Sequence, residues 1–144
     1  MQTDNPRPPS AGETAVSRAP MRPGLAFWTT ATIVLIGTLV LCSQAEPFSA
    51  GLFFVPFSFG PLAVTVGLAL ALRSTLAQVL LTVSSVLYGV WFVFICAQAF
   101  FVNPDPQSPI AFLFVGIYAI PVLVIFWIAA TLAHWWEWKR TANG

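Results

Sequence analysis

The stretch of sequence that decides the fold is residues 76–102, LAQVLLTVSSVLYGVWFVFICAQAFFV, which carries no charged side chain. An α-helix rises about 1.5 Å per residue, so about 20 apolar residues cross the hydrocarbon core of a bilayer. The stretch exceeds this length and predicts a membrane-spanning helix that tilts or extends past the interface. Its apolar residues are too continuous for a barrel strand, which would alternate.

Working outward from this stretch, three more apolar runs of spanning length occupy about 25–44, 50–72 and 109–136. In lipid these runs must be helices, because a helix satisfies its own backbone hydrogen bonds. The chain is 58% hydrophobic and 8% charged, whereas a soluble domain is about 25% charged. The sequence therefore predicts an all-α membrane protein, a four-helix transmembrane bundle, and excludes a cytosolic enzyme or binding module.

The two ends of the chain differ from the apolar part. Residues 1–24 contain five prolines and three arginines, a composition typical of a disordered tail. We therefore expect a transmembrane domain over 25–138 and a short C-terminal tail over 139–144. Residues 1–45 are alternatively a signal peptide cleaved after Ser43-Gln44-Ala45, although the apolar run is longer than the usual 7–15 residues.

Two helix starts carry capping signals. Thr75 followed by Gln78 resembles a capping box for the third helix. Ser108 followed by Pro109 is typical of an N-cap and the first helical position of the fourth.

The positive charges predict the orientation. The chain has six lysines and arginines, and the predicted topology places all of them on one side: Arg7, Arg18, Arg22, Arg73, Lys139 and Arg140. That side is cytoplasmic by the positive-inside rule, so we expect an inner or plasma membrane protein with both termini in the cytoplasm. At the cytoplasmic membrane interface we expect anchoring side chains, namely Trp28, Trp135, Trp136, Trp138, Lys139 and Arg140.

Small residues predict where helices pack, since association in lipid depends on close approach. The second span has Ala63, Gly67 and Ala71 on one stripe, extended by Gly60, and the third has Thr82, Ser85 and Gly89. The sequence favours an intramolecular seam for these stripes, because four helices with short loops must pack together. The alternative is a contact with another copy or with a larger complex.

Three prolines lie inside spans and predict kinks: Pro56 and Pro61 in the second, Pro121 in the fourth. Each removes a backbone donor and frees the carbonyl four residues earlier.

The sequence contains little that suggests chemistry. No acidic or basic residue falls within the predicted hydrocarbon region, which argues against proton relays and intramembrane proteases. His134 is the single histidine and has no neighbour arranged as a nucleophile or ligand. Cys42 and Cys96 have comparable depths and form a speculative thiol pair. We therefore expect no catalytic, cofactor or metal site and no nucleic-acid partner.

These observations favour a structural, accessory or assembly role in a membrane complex, with the lipid bilayer and a membrane protein or a second copy as partners. One alternative is a passive channel or carrier for a small neutral solute, lined by the stripe that contains Thr82 and Ser85. The other is a thiol-redox protein that uses Cys42 and Cys96.

Overall fold

The computed structural model describes residues 24–45, 48–102 and 108–142. This part of the chain forms four long helices: α1 (Leu25–Gln44), α2 (Phe48–Ala71), α3 (Thr75–Ala97) and α4 (Ser108–Ala142). A π-helical segment, Gln98–Val102, continues directly from α3. All four helices are long and apolar enough to span a membrane, which agrees with the predicted helical class.

The helix α4 continues past the predicted span. The sequence predicts a span that ends near 136 and a tail over 139–144, and α4 continues to Ala142, so the described part of that tail is helical, while the limit of the span stays a prediction. The physical reason is local: Glu137 to Ala142 contains neither glycine nor proline, so nothing interrupts the helical hydrogen bonds. The tail predicted over 1–24 lies outside the described residues except for Gly24, and so do the side chains of Ser108 and Pro109.

The start of α3 corrects a second prediction. Its N-cap is Ser74, in extended conformation, whose hydroxyl accepts a hydrogen bond from the Ala77 amide at 3.2 Å. Thr75 is already the first helical residue, so the capping box predicted from Thr75 and Gln78 is wrong. The Gln78 side chain turns away from its own helix end and binds the two neighbouring helices, as described below.

The helices run alternately up and down. α1 packs against α2 and α3, and α4 packs against the same two helices, so α1 and α4 lie at opposite corners. One end of the bundle contains the start of α1, the α2–α3 connection and the end of α4. We call it the basic end, because Arg73, Lys139 and Arg140 lie there.

The core consists of two groups of buried side chains. The larger is rich in aromatic rings: the Phe92 ring lies 5.0 Å from that of Phe59 and 6.1 Å from that of Phe112 between centroids. The smaller lies near the basic end and is built mainly from Ala26, Ala69, Leu72, Ala77, Leu81 and Ala130. Large apolar side chains also cover the outside of all four helices, far more than a soluble protein normally exposes.

Candidate functional site

One face of α2 consists of small residues, most of which are exposed. We call it the α2 outer face, and it consists of Gly60, Ala63, Gly67 and Ala71. Ala63, Gly67 and Ala71 are exposed, and a Cβ atom added to Gly60 or Gly67 would meet nothing within 4 Å. Within the described chain, nothing therefore packs against the two glycines of this face.

The opposite side of α2 forms the intramolecular seam. Ser58, Leu62, Thr65 and Ala69 are buried, and at 100° per residue they lie roughly half a turn from the α2 outer face. The intramolecular seam predicted along Ala63, Gly67 and Ala71 is therefore wrong. The reason is that α2 turns its hydroxyl groups inward, where they find hydrogen-bond partners. Packing of the α2 outer face on another chain stays a prediction.

The seam between α2 and α4 depends on two hydroxyl groups of α2. The Ser58 hydroxyl donates to the Phe112 carbonyl at 2.8 Å, and the Trp127 indole nitrogen donates to Thr65 Oγ1 at 3.0 Å. Tyr88 of α3 donates its hydroxyl to the Ser58 carbonyl. These bonds fix which face of α2 is buried, since an unpaired polar group in an apolar interior is costly.

The helices α2 and α4 approach each other closely at Gly116. A Cβ atom added there would collide with the Phe57 carbonyl oxygen. That carbonyl is the one freed by Pro61, which has no N–H to donate to it. Both prolines of α2 and Pro121 of α4 lie inside continuous helices, and the kinks expected at Pro56, Pro61 and Pro121 stay predictions.

A groove of about 410 Å³ runs between α2 and α4 on the outside of this contact. It begins at Gly60, on the edge of the α2 outer face, and Ile117 and Ile120 line its other wall. A second groove, of about 810 Å³, lies between α3 and α4 and is lined by apolar and aromatic side chains, among them Trp91, Phe94 and Tyr118.

The stripe that the sequence offered as a pore lining is engaged inside the bundle. Ser85 is fully buried, and its hydroxyl lies 2.6 Å from Thr30 Oγ1 of α1 and 2.9 Å from the Leu81 carbonyl. Thr82 donates to the Gln78 carbonyl at 2.7 Å. A Cβ atom on Gly89 would lie 3.4 Å from Ile33 Cδ1 of α1. Ser85 and Gly89 therefore lie where α3 meets α1, and Thr82 is half-buried and bonds within its own helix.

Gln78 joins three helices at the basic end, a role that the sequence reasoning missed. Its Nε2 group donates to the carbonyls of Ala69 at 2.7 Å and Leu72 at 2.6 Å. Its Oε1 atom accepts from the Ala26 amide at 3.3 Å. One side chain of α3 thus satisfies the Ala69 carbonyl near the end of α2, the Leu72 carbonyl just after it and a first amide of α1, groups that helix ends leave without partners. The available signal was an amide side chain inside an apolar run.

The two cysteines are free and buried. Cys42 is 3% exposed and lies where α1 meets α2, beside Gly51, while Cys96 is 8% exposed and belongs to the larger core group. Thiol chemistry needs access for a reagent, which this burial does not provide. Among the described residues, no group of three or more His, Cys, Asp and Glu side chains is arranged to hold a metal ion.

At the basic end, α4 presents its tryptophans and cations together. Lys139 Nζ lies 3.9 Å from the ring centroid of Trp135, and the Arg140 guanidinium carbon lies 5.1 Å from that of Trp136. Trp135, Trp136 and Trp138 are all exposed, as is Trp28 on α1. The buried Nδ1 atom of His134 has no hydrogen-bond partner within the part of the chain that the structure describes.

No family model, no curated protein and no solved structure matches this chain. Its function is therefore inferred from its own geometry.

Proposed function

We propose that this chain is a four-span integral membrane protein that serves as a structural, accessory or assembly subunit of a membrane complex. The α2 outer face is the contact for a transmembrane helix of the partner. One observation carries the proposal: α2 buries one face in its own bundle and leaves Ala63, Gly67 and Ala71 exposed on the other.

Small residues favour helix association in lipid for a physical reason. Lipid chains are as apolar as leucine, so helices gain little from hiding apolar surface, and close van der Waals contact becomes decisive. From Gly60 to Ala71 the α2 outer face extends over about 16 Å at 1.5 Å per residue. A partner helix that contacts this length packs against the small residues, with the exposed Val64 and Leu70 at the edges of the contact.

The surface of the bundle supports the membrane assignment. Exposed leucine, isoleucine, valine and phenylalanine side chains surround all four helices, and a bilayer is the solvent that accepts such a surface. We place the basic end in the cytoplasm of an inner or plasma membrane, because the cations of the described chain, Arg73, Lys139 and Arg140, all lie there. Both termini then face the cytoplasm.

The structure does not favour the two alternatives. A pore along Thr82 and Ser85 would have to open the contact between α1 and α3, where Ser85 is fully buried. The thiol-redox role would need reagents to reach two buried cysteines.

The test compares two identical substitutions at exposed alanines. Ala63 lies on the α2 outer face, whereas Ala111 is exposed on α4, away from that face. Affinity-tagged wild type, Ala63→Leu and Ala111→Leu are expressed in the native host, crosslinked gently, extracted in mild detergent and analysed by mass spectrometry.

We expect wild type and Ala111→Leu to retain a stoichiometric membrane-protein partner. The amount of partner recovered with Ala63→Leu should be at least tenfold lower, which corresponds to a loss of about 1.4 kcal/mol in binding free energy. A partner that is retained equally by all three chains would contradict the assigned face. A monomer without any partner would contradict the accessory role. Recovery of the chain as a homo-oligomer that Ala63→Leu dissociates would identify the partner as a second copy.

A further inference from the structure

The helix α4 is longer than a bilayer crossing requires. The helix has 35 residues and is about 52 Å long at 1.5 Å per residue, whereas the hydrocarbon core is about 30 Å thick. Its final residues, from Trp135 to Ala142, are exposed apart from Glu137, which is half-buried. This end therefore has a surface available for a partner outside the bundle.

The two cations of this surface point back toward the bundle. Lys139 lies four residues after Trp135, and Arg140 four residues after Trp136. Side chains of a helix lean toward its N-terminus, so each cation lies over the indole one turn earlier, at 3.9 Å and 5.1 Å from the ring centroids. Indoles settle at the headgroup level of a bilayer, and the contact holds both cations at that depth.

The charge of the basic end is unbalanced. The charged side chains of the described residues are Arg73, Glu137, Lys139 and Arg140, and all four lie at this end. Three cations against one carboxylate leave a surplus of two positive charges. A cation over a ring face keeps N–H donors free on its other sides, and phosphate is an anion that both ammonium and guanidinium groups bind.

We infer that Lys139 and Arg140 form a binding site for the phosphate of anionic phospholipid headgroups, with Trp135 and Trp136 as its floor. The depth of the cations selects lipid over an acidic protein segment, because lipid phosphates lie beside the indoles. The inference rests on the proposed membrane insertion but not on the accessory role.

The experiment uses the full chain in liposomes and its own tryptophan fluorescence. Lipids brominated on the acyl chains quench nearby indoles, so quenching by brominated phosphatidylglycerol and by brominated phosphatidylcholine reports which lipid lies next to the protein. Wild type is compared with the double variant K139Q/R140Q, and E137Q serves as the control that removes the one carboxylate. Tryptophans elsewhere contribute the same background to all three chains.

Each cation near an anionic surface strengthens binding about fivefold. We therefore expect wild type to prefer phosphatidylglycerol by about fivefold or more at low salt, with the preference reduced in about 0.5 M salt by screening. K139Q/R140Q should lose the preference and E137Q should keep or increase it. Lys139 and Arg140 are exposed and Glu137 is half-buried, outside both groups of core side chains, so melting temperatures should change little.

Equal quenching of wild type by the two lipids would overturn the inference, and so would a preference that K139Q/R140Q retains. A third outcome would also overturn the inference. If wild type shows no lipid preference but crosslinks to a protein that K139Q/R140Q does not, the two cations bind an acidic protein partner instead. The partner lost on Ala63→Leu is a separate readout, so failure of the lipid site and failure of the accessory role are distinguishable.

Discussion

Gly67 and Gly116 look equivalent in the sequence, since both lie inside apolar spans with an alanine about one helical turn away, yet the structure uses them in opposite ways. A Cβ atom on Gly116 would collide with the Phe57 carbonyl of α2, whereas one on Gly67 would meet nothing within 4 Å. The bundle needs a glycine at 116 and has no use for one at 67. A small residue that the fold does not need is the stronger indication of a contact outside the chain.

The largest expected effect is on the α2–α4 contact. Gly116→Ala places a methyl group against a backbone carbonyl that cannot move without shifting α2, and overpacking of this kind costs about 1–3 kcal/mol or more. We expect a clear fall in melting temperature in mild detergent. A thiol-reactive fluorophore measures it, because unfolding exposes the buried Cys42 and Cys96. An unchanged melting curve would mean that α2 and α4 do not approach each other at this point.

The next effect concerns the basic end. Gln78→Leu removes the donor for two carbonyls of α2 and the acceptor for one amide of α1, and buried groups left unpaired cost about 1–3 kcal/mol. The matched control is Thr82→Val, one turn later, whose hydroxyl bonds only to its own helix. The same thermal assay should show a larger loss for Gln78→Leu, and equal losses would contradict its role as a link between helices.

A smaller effect is expected at the α1–α3 contact. Hydrogen bonds between membrane helices contribute about 0.6 kcal/mol on average, so Thr30→Ala and Ser85→Ala should each lower the melting temperature slightly. Because the two hydroxyls lie 2.6 Å apart, the double variant should lose less than the sum of the single variants. Strict additivity in this double-mutant cycle would show that the two groups do not interact.

The smallest effect on stability is expected at Gly67, which tests directly whether Gly67 differs from Gly116. Gly67→Ala should leave the melting temperature unchanged or raise it, since alanine favours a helix by up to about 1 kcal/mol over glycine. Gly67→Leu should also melt normally but recover less partner after crosslinking. A destabilised Gly67→Ala chain would show that the α2 outer face is packed within the bundle after all.

The sequence predicted the helices far better than it predicted their faces. Hydropathy alone locates spans, because the bilayer demands length and apolar composition and little else, and α1 has the predicted bounds. Which side is buried depends on single polar groups. Ser58 and Thr65 orient α2 through bonds to α4, and their partners are distant in sequence. The stripe at Ala63, Gly67 and Ala71 is ambiguous for the same reason: small side chains suit both a seam and an outer contact.

Predictions from short sequence motifs also failed where a side chain binds a helix other than its own. Thr75 and Gln78 have the spacing of a capping box, but Ser74 caps α3 and Gln78 reaches across to α1 and α2. Loss of apolar character predicts where a span ends but does not predict where the helix ends, and α4 continues to Ala142. Its cations instead pack on indoles of the preceding turn, which requires the helix to continue.

The position of Gln78 has a consequence for biogenesis. As the chain leaves the ribosome, α1 and α2 emerge first, and the Ala26 amide and the carbonyls of Ala69 and Leu72 then lack the partner that binds all three. That partner is a residue of α3, so the first hairpin is incomplete until the third helix arrives. In the proposed membrane orientation, the hydrogen bonds at the basic end of α1 and α2 are therefore completed only when α3 packs against them.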